Sequence, residues 1–190
     1  MRPGRGERIG ALPPILSRIA RRKKLRYFFR DVPKSANILE IGCGDRWLGH
    51  ELARSGWTHY TGLDLVPPAD VIGDIRAWRT LRIPPESFDI IVAFELVEHV
   101  DCFEDMYRLL KPDARLFLTS PRPEMDWLCK ILEALRLTQR RSSPHQFLVD
   151  FRTIRQFEPL RLRSVGLISQ WGVFRKPAPV EKKRGGRSRP

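Results

Sequence analysis

ILEIGCG, residues 38–44, is the stretch on which the reading of this chain turns. The apolar run NILEI at 37–41 has the make-up of a buried strand, and it leads directly into Gly42-Cys43-Gly44. Glycines there let a backbone approach a ligand closely, and a helix starting just beyond favours negative charge at its N-terminus. Residues 47–54 supply that helix, with Trp47, Leu48 and Leu52 on one face. Further along, YTGLDL at 60–65 reads as a second strand ending in an acid, and Val71 and Ile72 as a short third before Gly73-Asp74. FDIIVAF at 88–94 is an uninterrupted apolar run, the kind buried on both faces of a parallel sheet. Phe103, Met106, Tyr107 and Leu110 repeat at helical spacing, residues 111–114 read as a turn, and RLFLTS at 115–120 as a fifth strand. Residues 125–137 read as another amphipathic helix. Strands alternating with helices predict an α/β fold with a mostly parallel sheet, whose ligands sit outside the carboxyl ends of the strands. Only LISQWGVFR follows Gly166 before a basic tail, so a short or incomplete final antiparallel hairpin is expected.

The chain has 190 residues and 42% apolar content, enough for one domain with a proper core. No apolar run approaches the roughly 20 residues of a membrane span. The polar, Gly-rich start MRPGRGERIG is unlike a signal peptide, and Cys43, Cys102 and Cys129 show no CxxC spacing. A cytoplasmic chain without an integral membrane span is the expectation. The net charge of +13 invites a nucleic-acid reading until it is located. Residues 1–30 carry a net +9 and residues 175–190 a net +6, whereas residues 31–135 carry a net −7. Three parts follow: a basic amphipathic segment at 1–34, a domain at 35–175, and a basic, apolar-poor tail at 176–190 that is expected to be disordered. In the first part Leu12, Ile15, Leu16 and Ile19 repeat at helical spacing, and Leu25, Phe28 and Phe29 resume the stripe after RRKK. Such a helix can pack on its own domain or lie on a membrane surface.

Acids surround the glycine loop. A dinucleotide fingerprint needs glycine at position 47, where this chain has Trp47. Asp64 follows Gly44 by 20 residues, where a carboxylate can accept from ribose hydroxyls. Asp74 could accept from an adenine amino group, and Glu40 lies just before the loop. A phosphate would be repelled by this ring; a nucleoside carrying a cation would not.

At this point the chain resembles the class I S-adenosylmethionine (AdoMet)-dependent methyltransferases, in the broad type 11 group shared with quinone-biosynthesis enzymes. The resemblance spans residues 36–167 and rests on ILEIGCG, GLDL at 62–65, GDI at 73–75, SFDIIVAFELVEHV at 87–100 and RLLKPDARLFLTSP at 108–121. It implies a Rossmann-like sheet flanked by helices, with AdoMet as cofactor. It also implies that Gly42 and Gly44 border the methionine portion, that Asp64 binds the ribose and that Asp74 with Ile75 frames the adenine, with Glu40, Cys43, Leu65 and Phe94 as further expected cofactor contacts. Two departures stand out: Arg46 occupies the place of the loop's third glycine, and KPDA replaces the usual KPGG turn. Arg46 would either crowd the site or meet the methionine carboxylate. Cys43 reads as a small filler rather than a nucleophile.

A second constellation lies in FELVEHV. Glu95, Glu98 and His99 have the spacing i, i+3, i+4, and would point one way if the segment turned helical; His145 follows far downstream in SSPHQF. Two carboxylates and two imidazoles are an adequate shell for a divalent cation, favouring Mn²⁺, Fe²⁺, Co²⁺ or Zn²⁺ over Mg²⁺. The E-x-x-E-H pattern is similar to the metal site of small-RNA 2′-O-methyltransferases and to ubiquinone-pathway O-methyltransferases. In both, the resemblance implies a metal that holds two neighbouring acceptor oxygens. Metal-free roles stay open, with His99 and Glu98 as catalytic acid–base groups, or His99 as a packing residue. His50 and His59 have no partners at useful spacing and are expected at the surface.

Residues 121–163 should form much of the acceptor wall, made basic and partly aromatic by Arg122, Trp127, Arg140, Arg141 and His145. Phe147 and Phe151 are expected in the core. The leading expectation is O-methylation of a polar or acidic small molecule or a glycan hydroxyl. Two alternatives remain open: an RNA methyltransferase whose basic termini hold phosphates, and a non-catalytic AdoMet-fold module binding a polyanion or partner protein.

Overall fold

Each apolar run read above forms a strand in the computed structural model, which describes residues 15–123 and 149–178. The chain divides into two units between Pro33 and Lys34. In the first, helix α1 (Ile15–Phe29) carries the Arg/Lys-rich stretch through one continuous helical run, and Tyr27 and Phe28 meet edge-on with ring centroids 4.8 Å apart. In the second, β1 (Ile38–Ile41), β2 (Tyr60–Asp64), β3 (Val71–Ile72), β4 (Phe88–Phe94), β5 (Leu110–Pro121), β6 (Glu158–Val165) and β7 (Ser169–Arg175) build one seven-stranded sheet in the order β3-β2-β1-β4-β5-β7-β6. Strands β1 to β5 run parallel and β7 is antiparallel to both its neighbours. Helix α2 (Trp47–Arg54) links β1 to β2, and α3 (Phe103–Leu109) links β4 to β5. No helix among the described residues is long and apolar enough to cross a membrane.

Burial explains why β1 and β4 lack a polar alternation. Every residue of β1 is buried, as are five of the seven in β4, because apolar side chains cover both faces. On one face Leu39, Ile41, Ile91, Ala93, Leu116 and Leu118 join Met106 and Leu109 of α3 and the aromatic rings of Trp78, Phe151 and Phe174. On α2, Leu48 and Leu52 are fully buried.

The final hairpin is complete, with strands of eight and seven residues, and this corrects the expectation of a short one. EPLRLRSV hides its strand character because β6 is an edge strand, mostly exposed, and needs no apolar face to be held; its ladder to β7 holds it. The segment 111–114 also differs from a simple turn. It is an excursion inside β5, between the pairs Phe88↔Leu110 and Ile90↔Arg115, with Asp113 in the left-handed region at φ 60°. The excursion is still tied to the sheet. Asp113 N–H donates to Lys176 O (3.1 Å), and Lys176 N–H donates to Ala114 O (2.9 Å). The expected helix at 125–137 lies outside the described residues, as do the expected extreme termini.

Candidate cofactor cleft and acceptor edge

The glycine loop works through backbone geometry. Gly42, Gly44 and Arg46 all have positive φ, at 75°, 49° and 58°. Positive φ favours glycine at position 42, and a Cβ there would also press to 3.1 Å on the Leu96 side chain. The loop is strapped to β2: Gly42 N–H donates to Leu63 O at 2.8 Å, and Gly44 N–H donates to Asp64 Oδ2 at 2.8 Å. Asp64 Oδ1 accepts from Leu65 N–H at 2.7 Å. Both carboxylate oxygens of Asp64 are thereby oriented, and each keeps capacity for a further donor.

A cleft of about 670 Å³ opens at this loop, within the size range of small-molecule and cofactor sites. Gly42, Gly44, Asp64, Leu65, Asp74, Ile75 and Phe94 line it, together with Glu95 and His99. Phe94 is braced from behind by Trp47, whose ring lies nearly parallel to it at 6.4 Å. Asp64, Asp74, Glu95 and Asp101 set four carboxylates on the lining against the single guanidinium of Arg76. That guanidinium grips Asp74 through both carboxylate oxygens and holds its carboxyl below the usual range. A negative, half-open cleft suits a cationic nucleoside and disfavours a phosphate. The residues present therefore fit a cationic nucleoside such as AdoMet.

Glu40, on β1, and Cys43, within the loop, were expected on the cofactor; neither lines the cleft. Glu40 is buried and accepts a short hydrogen bond from the Tyr60 hydroxyl. Tyr60 in turn fits only because Gly49 has no side chain; a Cβ there would stand 2.5 Å from the ring. Burial and the Glu40 carboxylate push the Tyr60 phenol well above its ordinary range. The Cys43 thiol is buried, and desolvation aided by Glu40 raises its pKa to about 11, which suits the filler role.

Arg46 neither crowds the cleft nor reaches into it. Its Nη2 donates to Asp70 Oδ2 at 2.6 Å, and the same oxygen accepts from Gly62 N–H at 2.8 Å. Asp70 escaped the sequence reading; an acid just before β3 was the available signal.

Residues 97–99 form a turn rather than a helix, so Glu95, Glu98 and His99 do not share one direction. Glu95 has φ 53° and its Oε1 accepts from Thr119 Oγ1 at 2.8 Å. Glu98 is only 1% exposed and does not line the cleft, whereas half-buried His99 does. Among the described residues no three His, Cys, Asp or Glu gather as a metal shell, and His145 lies outside them. These residues alone do not fit a metal. His50 and His59 are exposed, as expected. Of the expected acceptor wall, Arg122 is described and half-buried, while Trp127, Arg140, Arg141 and Phe147 lie outside the described residues. Phe151 is core, edge-on to Phe174 at 5.8 Å.

A sheet of this order, with a glycine loop after β1 and an acid ending β2, is the class I methyltransferase fold. The chain belongs to the methyltransferase domain family, which matches residues 15–160. It is 31% identical over 116 residues to a ubiquinone biosynthesis O-methyltransferase of Xylella fastidiosa (strain 9a5c), the match covering 51% of this chain and 47% of that protein. The chain thus spans about half the length of the curated relatives it matches. Among solved structures it resembles a SAM-dependent methyltransferase from Methanosarcina mazei (TM-score 0.51, 20% identity, covering 78% of this chain and 95% of that one). It also resembles the magnesium protoporphyrin IX methyltransferase of Synechocystis PCC 6803 with bound SAH (TM-score 0.56, 14% identity, covering 84% and 83%). Both likenesses concern the fold.

Proposed function

We propose that this chain transfers the methyl group of AdoMet to an oxygen of a polar small molecule. The observation that carries the reading is the acid-lined cleft at the carboxyl ends of β1, β2 and β4, with Asp64 oriented by the glycine loop. When bound there, AdoMet supplies a sulfonium-activated methyl group. Asp64 accepts from ribose hydroxyls, Gly42 and Gly44 let the backbone come close, and Phe94 backed by Trp47 forms a flat apolar wall. The negative lining holds the cationic end and loses that attraction once the methyl has left, which helps release the neutral product. His99, on the lining, is the group placed to take the acceptor's hydroxyl proton; we give Glu98, buried away from the cleft, no contact with substrate. Transfer to oxygen is supported by the O-methyltransferase relatives.

Calorimetry with S-adenosylhomocysteine tests the reading. The wild-type chain should bind saturably, and Asp64→Ala should weaken binding roughly 10- to 100-fold, the loss of hydrogen bonds to a charged group. His99→Ala should leave that affinity within about twofold. A chain without measurable affinity would overturn the proposal.

A further inference from the structure

Helix α1 carries a one-sided positive face. Between Ile15 and Phe29 the chain has six Lys or Arg residues and no acid. Arg18, Arg22, Lys23 and Arg26 are exposed, and among the described residues none of these four forms an ion pair. At 3.6 residues per turn they project within an arc of about 140°, and Arg18, Arg22 and Arg26 follow a single i, i+4 row. Arg21 and Lys24 are half-buried, have interactions of their own and lie outside that arc.

No part of the chain offers this face a surplus of acids. Asp31, the next acid after the helix, is paired with Arg30 at 2.9 Å. Residues 1–14 hold three Arg and one Glu, residues 124–148 four Lys or Arg and three acids, and residues 179–190 five Lys or Arg and one acid. Each segment outside the described residues therefore adds net positive charge. Like charges along one helical row repel one another and weaken the helix, so the row gives α1 itself no return.

The make-up of the face selects its partner. A helix that lies in a membrane surface sinks a broad apolar face into it. Here Phe28 and Phe29 are buried, and Ile19 is the large apolar side chain that α1 exposes among the described ones. A nucleic-acid strand carries one phosphate about every 3.4 Å, and the stretch from Arg18 to Arg26 is about 12 Å long, so four cations meet about four phosphates. Three of the four are Arg, whose guanidinium forks match phosphate oxygens in pairs. We propose that this face of α1 binds the sugar–phosphate backbone of a nucleic-acid strand through Arg18, Arg22, Lys23 and Arg26. Such a contact holds phosphates and carries no base specificity. It stands independently of the methyl-transfer reading.

The test follows the fluorescence anisotropy of a labelled oligouridylate titrated with the full chain over a series of chloride concentrations. Saturable binding is expected, and its absence at low salt would overturn the proposal. In Arg22→Gln/Arg26→Gln the slope of log K against log salt should become shallower by about 1.4, two phosphate contacts at about 0.7 each, and low-salt affinity should fall about tenfold or more. Both residues are exposed and Gln is a good helix former, so an unchanged far-UV circular dichroism spectrum should accompany the loss. Lys182→Gln/Lys183→Gln removes the same charge from the basic tail and should weaken binding less than about threefold. Equal losses in the two variants, or an unchanged slope in Arg22→Gln/Arg26→Gln, would show attraction to net charge alone and overturn the face. Phosphatidylglycerol vesicles that bind the chain more tightly than the oligouridylate, and lose that advantage in Arg22→Gln/Arg26→Gln, would overturn it in favour of a lipid surface.

Discussion

Cys43 sits where the loop turns, between a buried carboxylate and the cleft, and its chemistry follows from that place. Its thiol is raised from 9.0 to about 11, first by burial and then by Glu40. Below pH 9 it is protonated in the folded and unfolded chain alike, so its contribution to stability is fully present. Between pH 9 and 11 the unfolded chain releases the proton while the folded one keeps it, and stability falls. Chemical denaturation across that window should show a steeper loss for the wild type than for Cys43→Ala. Alkylation of Cys43 at pH 8 should be slow compared with a free thiol. The residue scale is also where sequence reading met its limits. That Gly42, Gly44, Asp64 and Asp74 line one cleft was legible because each stands at the end of a strand in the sheet. The Tyr60–Glu40 bond and the Arg46–Asp70 pair were not, since each joins residues 20 or more apart whose meeting depends on the strand register. Arg46 illustrates the point. Its left-handed backbone explains why a glycine is usual there, at a cost of about 1–2 kcal/mol for a side chain, and only the structure reveals the partner that draws that side chain aside.

Strands covered on both faces announce themselves as apolar runs, so β1 and β4 were legible, and the edge strand β6 was not. Its place is secured instead by its neighbour. On β7, Gln170 Nε2 donates to Pro121 O (3.1 Å) and to Val149 O (2.6 Å), and its Oε1 accepts from Phe151 N–H (3.2 Å). One amide thereby binds the end of β5 to the chain's return at 149–151. Gly172, two residues on, leaves room for Phe151, since a Cβ there would lie 2.9 Å from that ring. Gln170→Ala should cost about 1–3 kcal/mol, because three polar partners lose their bond. Hydrogen exchange should quicken at Phe151, and the denaturation midpoint should fall. An unchanged midpoint would show that water replaces the amide without loss.

Seen whole, the sheet is closed by contacts that reach far along the chain. Lys176 is buried, its ammonium donating to Glu86 Oε1 at 2.9 Å and to Leu110 O at 2.8 Å, and resting 4.6 Å from the centre of the Tyr107 ring. It thereby ties the strand excursion at 111–114, which it holds through its backbone, to Glu86, 90 residues before it in the chain. Lys176→Met keeps the length of the side chain and removes both bonds, so a loss of about 1–3 kcal/mol is expected in urea denaturation. The charge separation has the same scale: the acidic middle of the chain holds the cleft, and the +13 total comes from regions outside it. The strand order carries a further consequence for how the protein is made. β7 lies between β5 and β6 although it is synthesised after both. As the chain emerges, β5 has an open edge and β6 has no strand to join until residues 169–175 appear. The nascent protein therefore exposes a sticky margin until residues 169–175 have been translated, and that interval is when aggregation or chaperone capture would occur.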